Sequence, residues 1–318
     1  MSNTRTAWLQ IHLCVFLWGF TAILGRLISV PALPLVLWRM LAVGLVLLLL
    51  ARVWRGILRL SARHLLAFLG VGVLVALHWL TFYAAVKLAN ASVAATCMAL
   101  IPVTLCFIEP LVTGRPFVRR ELVLGVLVLP GVALVVGGTP QEMNTGIAVA
   151  IVSAVLAALF TAYNKRLILR TDALSATALE MLGGGVFVLV LSLLLAALPL
   201  APWEAGALLP LQQELLAPPA GRDLLWLGVL AVACTLLPFA LSLVALRQLS
   251  AYASALAVNL EPLYAILLAI LILGEQRELG LTFYLGAAVI LAVVLVYPVL
   301  LKANNPDSAA VSAPKSLT

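Results

Sequence analysis

Gly19-Phe-Thr-Ala-Ile-Leu-Gly-Arg-Leu-Ile28 and Leu159-Phe-Thr-Ala-Tyr-Asn-Lys-Arg-Leu-Ile168 read as one segment written twice, 140 residues apart, with six of ten positions identical. At an offset of 141, Arg39-Met40-Leu41 falls on Glu180-Met181-Leu182, and Gly44 falls on Gly185. At an offset of 160, Ala91, Ala95, Pro102, Leu111 and Gly114 fall on Ala251, Ala255, Pro262, Leu271 and Gly274. The order of the matches is kept along the chain, so the whole first part is repeated. The growth in offset is absorbed by a Pro- and Ala-rich stretch from about Pro199 to Arg222, which reads as a surface insertion.

The repeated unit is apolar. Of the 318 residues 64% are hydrophobic and 10% charged, far fewer charges than a water-facing surface carries. Apolar blocks long enough to cross about 30 Å of hydrocarbon lie at 7–28, 34–51, 66–86, 91–113, 121–138, 146–168, 175–198, 223–245, 251–273 and 280–301. They lack the alternation of barrel strands, so each is expected to be a helix. The expected fold is all-α and polytopic, with ten transmembrane helices: a first five-helix repeat over 1–140, a second over 141–302, and a polar tail over 303–318 expected to be disordered and cytoplasmic.

Five spans per repeat is an odd number, so the second repeat must cross the membrane in the opposite sense to the first. Such inverted repeats are a design of secondary transporters. The basic residues set the orientation. With the N-terminus inside, 14 of 19 fall in inner segments, including Arg52, Arg55, Arg59 and Arg63, then Arg115, Arg119 and Arg120, and Lys165, Arg166 and Arg170. Both termini are therefore expected in the cytoplasm. The net charge of +7 is topological by this reading, and no nucleic-acid partner is expected. Cys14, Cys97, Cys106 and Cys234 lie in apolar spans without a C-x-x-C pair, and the three His show no ligand-like spacing, so no metal or other cofactor is expected. The first span is too long for a signal peptide and has no A-x-A-like cleavage site.

The chain resembles EamA-type transporters of the drug/metabolite transporter superfamily, and does so over nearly its whole length. The resemblance rests on Leu17-Trp18-Gly19, Arg39, the junction from Tyr83-Ala84-Ala85 to Ala91-Ser92-Val93-Ala94-Ala95, Pro102, Asn259-Leu260-Glu261-Pro262 and Leu273-Gly274-Glu275. It implies ten helices, a central pathway between the halves, and export of small metabolites, amino acids or drugs. One departure stands out: Thr113-Gly114-Arg115 replaces the Gly-Glu with which the family often ends its fourth helix.

Ionisable groups inside a span cost about 2.5–3.5 kcal/mol each on insertion scales, so each needs a partner or a wet cavity. Arg39 either bonds carbonyls of a neighbouring helix or captures a ligand carboxylate or phosphate. Glu180 is its counterpart, entering from the other face, and either pairs with Arg166 or Arg170 or acts as a protonatable gate. His78 lies mid-span beside Trp79 and one turn from Phe82 and Tyr83; it is either a packing residue bonded to a carbonyl or a proton-coupling group. Glu261, before Pro262, would carry a proton or else steady the kink, with Asn259 as a partner. The expected substrate-binding set is thus Trp18, Arg39, His78, Trp79, Tyr83, Tyr163, Asn164 and Asn259, and the proton-coupling set His78, Glu180 and Glu261. Trp18 and Gly19, and their counterparts Leu159 and Phe160, also suit helix packing.

The function expected is secondary active export of a small metabolite, amino acid or drug across the cytoplasmic (inner) membrane by alternating access, with helices 1–4 and 6–9 around the pathway and 5 and 10 peripheral. Expected partners are the small-molecule substrate and the bilayer, with a homodimer left open. A lipid or lipid-carrier flippase is the nearest alternative. An intramembrane enzyme has little support: Asp172, Asp223 and Asp307 are isolated rather than clustered for Mg²⁺, and no Gly-x-Ser-Gly occurs.

Overall fold

The structure is a computed structural model that describes residues 2–197 and 215–303, with side chains described for 4–123, 125–197 and 215–293. The tail beyond 303 and most of the insertion after Pro199 lie outside the described residues. Among the described residues the chain is helical throughout, without a strand. The helices are α1 (Ser2–Leu27), α2 (Ala32–Leu48), α3 (Ala51–Ile57), α4 (Ala62–Leu88), α5 (Ala91–Cys97), α6 (Ile101–Thr113), α7 (Arg119–Gly137), α8 (Asn144–Leu167), α9 (Ala173–Ala197), α10 (Arg222–Ala231), α11 (Leu237–Leu246), α12 (Ala251–Val258), α13 (Glu261–Leu268) and α14 (Leu281–Ala303). Three pairs, α5 with α6, α10 with α11 and α12 with α13, continue as single spans. Eight stretches among the described residues are long and apolar enough to cross a membrane, and α2 with α3 makes a ninth if the pair is one span.

That pair corrects the expected span over 34–51. The helix stops at Leu48 and turns by 95° into α3, although neither Gly nor Pro stands at the break. Charge explains it: Arg52 and Arg55 follow, and an amphipathic segment gains by lying along the interface rather than entering it. Trp54 Nε1 donates to the Leu48 carbonyl at 2.7 Å, satisfying one acceptor that the ended helix leaves free.

The two repeats break at the same place. Met98–Leu100 forms a 3₁₀ turn before Pro102, and the chain turns again at Asn259 and Leu260 before Pro262. A proline has no N–H for the carbonyl four residues back, and the helix must adjust locally. Both spans also end on a left-handed glycine, Gly114 (φ 75°) and Gly274 (φ 72°), a backbone that a side chain disfavours.

The starts of these spans are capped across the repeats. At α5 the Ala91 and Ser92 amides donate to the Glu275 carboxylate, each at 3.0 Å, and the Val93 amide donates to Asn90 Oδ1 at 2.9 Å. At α12 the Ala251 and Tyr252 amides donate to the Glu109 carboxylate at 3.0 and 2.9 Å, and the Ala253 amide donates to Ser250 Oγ at 3.0 Å. Three of the four orphan donors at each helix start are thus satisfied, two of them by a carboxylate from the other repeat. The arrangement explains the Arg115 departure. Glu275 follows Gly274 directly, whereas Arg115 follows Gly114, and the capping carboxylate has moved back to Glu109. Arg115 pairs with Glu121 and lies 3.3 Å from Glu109, so it holds the relocated carboxylate in place.

Small residues allow the tightest crossings. A Cβ on Gly72 of α4 would lie 2.1 Å from the Glu180 carbonyl oxygen of α9, and one on Gly184 would lie 2.5 Å from the Gly72 carbonyl oxygen. Both obstacles are backbone and cannot rotate away. Gly72→Ala is therefore expected to force the helices apart and destabilise the fold by about 1–3 kcal/mol, read as a lower thermal unfolding midpoint in detergent. By contrast, α7 and α14 pack mainly on one another, with Gly131 and Gly286 at their crossing.

Candidate functional site

The helix breaks surround a cavity of about 110 Å³ inside the bundle, room for several waters or a small ligand. Its wall is largely aromatic and aliphatic, with Trp18, Phe82, Phe160 and Phe239 among the lining side chains. The polar groups on it are few: Arg39, His78, Asn164 and Glu261, with hydroxyls such as Thr161 and Ser254. The lining extends from Arg39 and Met98 to Leu246 and Ser254, and Lys165 Nζ donates to the Leu246 carbonyl at 2.7 Å. Among the described residues none of the lining comes from α7 or α14, and none from α9 either. The seventh expected span therefore stands behind the wall rather than in it.

Arg39 is 2% exposed and held by four neighbours, with the cavity beside it. Nε donates to Thr235 Oγ1 at 2.6 Å, Nη1 to Tyr83 Oη at 2.6 Å, and Nη2 to the Cys234 carbonyl at 3.3 Å. The guanidinium also stacks on Trp79, 3.7 Å from the ring centroid. Local sequence explains the acceptors. Pro238 offers no N–H to the Cys234 carbonyl four residues back, and Val232–Leu236 widens into a π-helical turn that turns its polar groups toward α2. Arg39 takes up what that turn leaves free. Three of its five donors are committed to neutral acceptors, and no carboxylate lies within salt-bridge distance among the described residues.

His78 Nδ1 donates to the Ser153 carbonyl at 2.9 Å, and Ser153 Oγ donates to the His78 carbonyl at 2.9 Å. A ring nitrogen committed to a carbonyl leaves the other as an acceptor in the neutral imidazole. The ring packs against Phe160 at 5.4 Å and Phe82 at 6.1 Å, so His78 ties α4 to α8 at the cavity wall.

Glu261 opens α13, in the break made by Pro262, and is 7% exposed. Its carboxyl takes no hydrogen bond from any described residue, unlike the capping carboxylates of Glu109 and Glu275. Asn259, expected as its partner, is buried away from the cavity lining with both amide atoms unpaired. Glu180 is fully buried, and Asn164 Nδ2 donates to its Oε2 at 3.1 Å. The expected pairing of Glu180 with Arg166 or Arg170 is not formed: Arg166 donates instead to the Val112 carbonyl at 3.2 Å. Asn164 faces the cavity, so Glu180 touches the pathway through it.

Of the residues singled out in the sequence, Trp18, Arg39, His78, Trp79, Asn164 and Glu261 meet around one cavity. Tyr83 lies behind Arg39 as its acceptor, and Tyr163 faces away into a separate groove. Glu109 was not singled out in the sequence, although it is as much a charge inside an apolar span as Glu261, and Glu275 was named only within the Leu273-Gly274-Glu275 motif. Thr161, one turn before Asn164 on the same helix face, also lines the cavity without having been singled out.

A bundle of apolar spans around an aromatic cavity with one base and one unpaired acid is the build of a membrane transporter. The family model of the EamA-like transporter family matches residues 6–137 and 144–297. The chain belongs to that family, a multi-pass membrane transporter of the drug/metabolite type in two repeats. One similar solved structure, described only as the crystal structure of a protein, is 16% identical, with a TM-score of 0.65 over 94% of this chain and 98% of that one. It supports the fold alone. The comparison with curated proteins finds no match.

Proposed function

We propose that this chain is a proton-coupled secondary active transporter that exports a small amphipathic metabolite, amino acid or drug across the cytoplasmic membrane by alternating access. The two repeats, 1–140 and 141–302, form ten crossings in opposite orientation, with both termini in the cytoplasm, α2 with α3 as one crossing and α14 as the tenth. Glu261 carries the reading. It is the cavity's acid without an internal partner, it sits at a helix break near the middle of the membrane, and a group so placed can exchange a proton for a substrate. Arg39, Trp79 and the aromatic wall bind the substrate, while Glu180 behind Asn164 is a second protonatable group near the inner end. The cavity's reach toward the Arg-rich face fits a state that loads from the cytoplasm.

Purified protein in proteoliposomes, challenged with a broad metabolite panel under an imposed pH gradient, is expected to move at least one compound in a gradient-dependent way. Cells lacking the protein are expected to accumulate the same compound. Gradient-independent movement across the panel would exclude proton coupling.

A further inference from the structure

A second concavity lies outside the transport pathway, between the first half of α4 and the last half of α8, with a volume near 770 Å³. The two helices are antiparallel there, so their basic ends meet: Arg63 at the start of α4, and Arg166 and Arg170 at and beyond the end of α8, all line its mouth. Below them the lining turns apolar, through Ala67 and Gly70 to Leu74 and Leu159, with Tyr163 alongside. From Arg63 to Leu74 a helix rises about 16 Å, half the hydrocarbon thickness. The groove is therefore one leaflet deep, with cations at the headgroup level and hydrocarbon beneath.

The charges at the mouth are uncompensated. No carboxylate lines the groove, and none of Arg63, Arg166 and Arg170 has one within salt-bridge distance among the described residues. Arg52, by contrast, faces Asp172, and Arg115 has both Glu109 and Glu121. The floor is open as well: a Cβ on Gly70 would meet nothing within 4 Å. Gly costs helix stability relative to other residues, and here it leaves space on the lining of the groove.

We infer that this groove is a binding site for one anionic phospholipid, its phosphate held by Arg63, Arg166 and Arg170 and one acyl chain laid along Gly70 and Leu74. The apolar depth separates a lipid from a soluble phosphate, and the three arginines separate an anionic from a zwitterionic headgroup.

The test is native mass spectrometry of the full-length protein released from detergent after incubation with equal amounts of phosphatidylglycerol and phosphatidylcholine. The wild type is expected to retain one phosphatidylglycerol about tenfold more than phosphatidylcholine. Arg63→Gln/Arg166→Gln/Arg170→Gln is expected to erase that preference, while Arg52→Gln/Arg55→Gln/Arg59→Gln, on the same face but outside the groove, keeps it. Gly70→Leu, which fills the floor and favours the helix, is expected to lower retention of the lipid with all arginines in place. Equal retention of the two lipids by wild type would overturn the inference. So would undiminished phosphatidylglycerol on the groove triple variant or on Gly70→Leu, or its displacement by equimolar glycerol phosphate, which would mark a site for free phosphate. Thermal melts of each variant separate loss of binding from loss of fold.

Discussion

Glu261→Gln is expected to reduce flux driven by a pH gradient to the level of empty liposomes while leaving substrate exchange in the absence of a gradient measurable. Gln keeps the length and shape of the side chain but holds no exchangeable carboxyl proton, so it removes coupling without emptying the break before Pro262. The position favours a large effect. The carboxyl lines the cavity and has no hydrogen-bond donor among the described residues, so its protonation state is left for the pathway and its substrate to set. Glu261→Asp is expected to keep gradient-driven flux at a reduced rate. Unchanged gradient-driven flux in Glu261→Gln would move the proton to Glu180 or His78.

Glu109→Ala is expected to be strongly destabilising at the joint between the repeats. It removes the acceptor for the Ala251 and Tyr252 amides, and each buried donor left unpaired costs about 1–3 kcal/mol. It also strips Arg115 of one of its two acidic neighbours. The apparent unfolding temperature in detergent is therefore expected to fall by several degrees or more, and the protein to lose its homogeneous elution profile. A carboxylate returned to position 115 probes the relocated cap more sharply. Adding Arg115→Glu to Glu109→Ala places a carboxylate directly after Gly114, where Glu275 stands after Gly274, and is expected to restore much of the lost stability. A double variant no more stable than the single one would mean that the Arg115 departure has another origin.

Much of the fold was legible because it is written in coarse variables. Apolar length sets where helices cross, and Pro102 and Pro262, Gly114 and Gly274 recur at one offset, so the breaks and ends recur too. The bend after Leu48 was not legible as a stop signal, because no helix breaker marks it; Arg52 and Arg55 place it through their hydration, which a window of hydrophobicity averages away. The π-helical turn at Val232–Leu236 was equally hidden, since it answers to Arg39 on another helix as much as to Pro238.

The site divides in the same way. Arg39, His78 and Glu261 stood out because charge and imidazole are costly in hydrocarbon, and all three reach the cavity. Their partners did not stand out. Thr235, Cys234 and Ser153 are ordinary residues in their own spans, and only packing shows that they satisfy Arg39 and His78, or that Tyr83, expected at the substrate, accepts from Arg39. Direction around a helix decided the rest: Tyr163 and Asn164 are adjacent in sequence, yet about 100° apart on the helix, so one faces a peripheral groove and the other the pathway.

The cavity bounded by Arg39 and Glu261 is expected to open in turn to both faces of the membrane. Phe160 lines it, and none of the four native cysteines is among its described lining residues. In a chain with those four replaced and Phe160→Cys introduced, a membrane-impermeant maleimide applied to vesicles of known orientation is expected to label the new thiol from either face. Labelling from one face alone, under every pH gradient imposed, would contradict alternating access through this cavity.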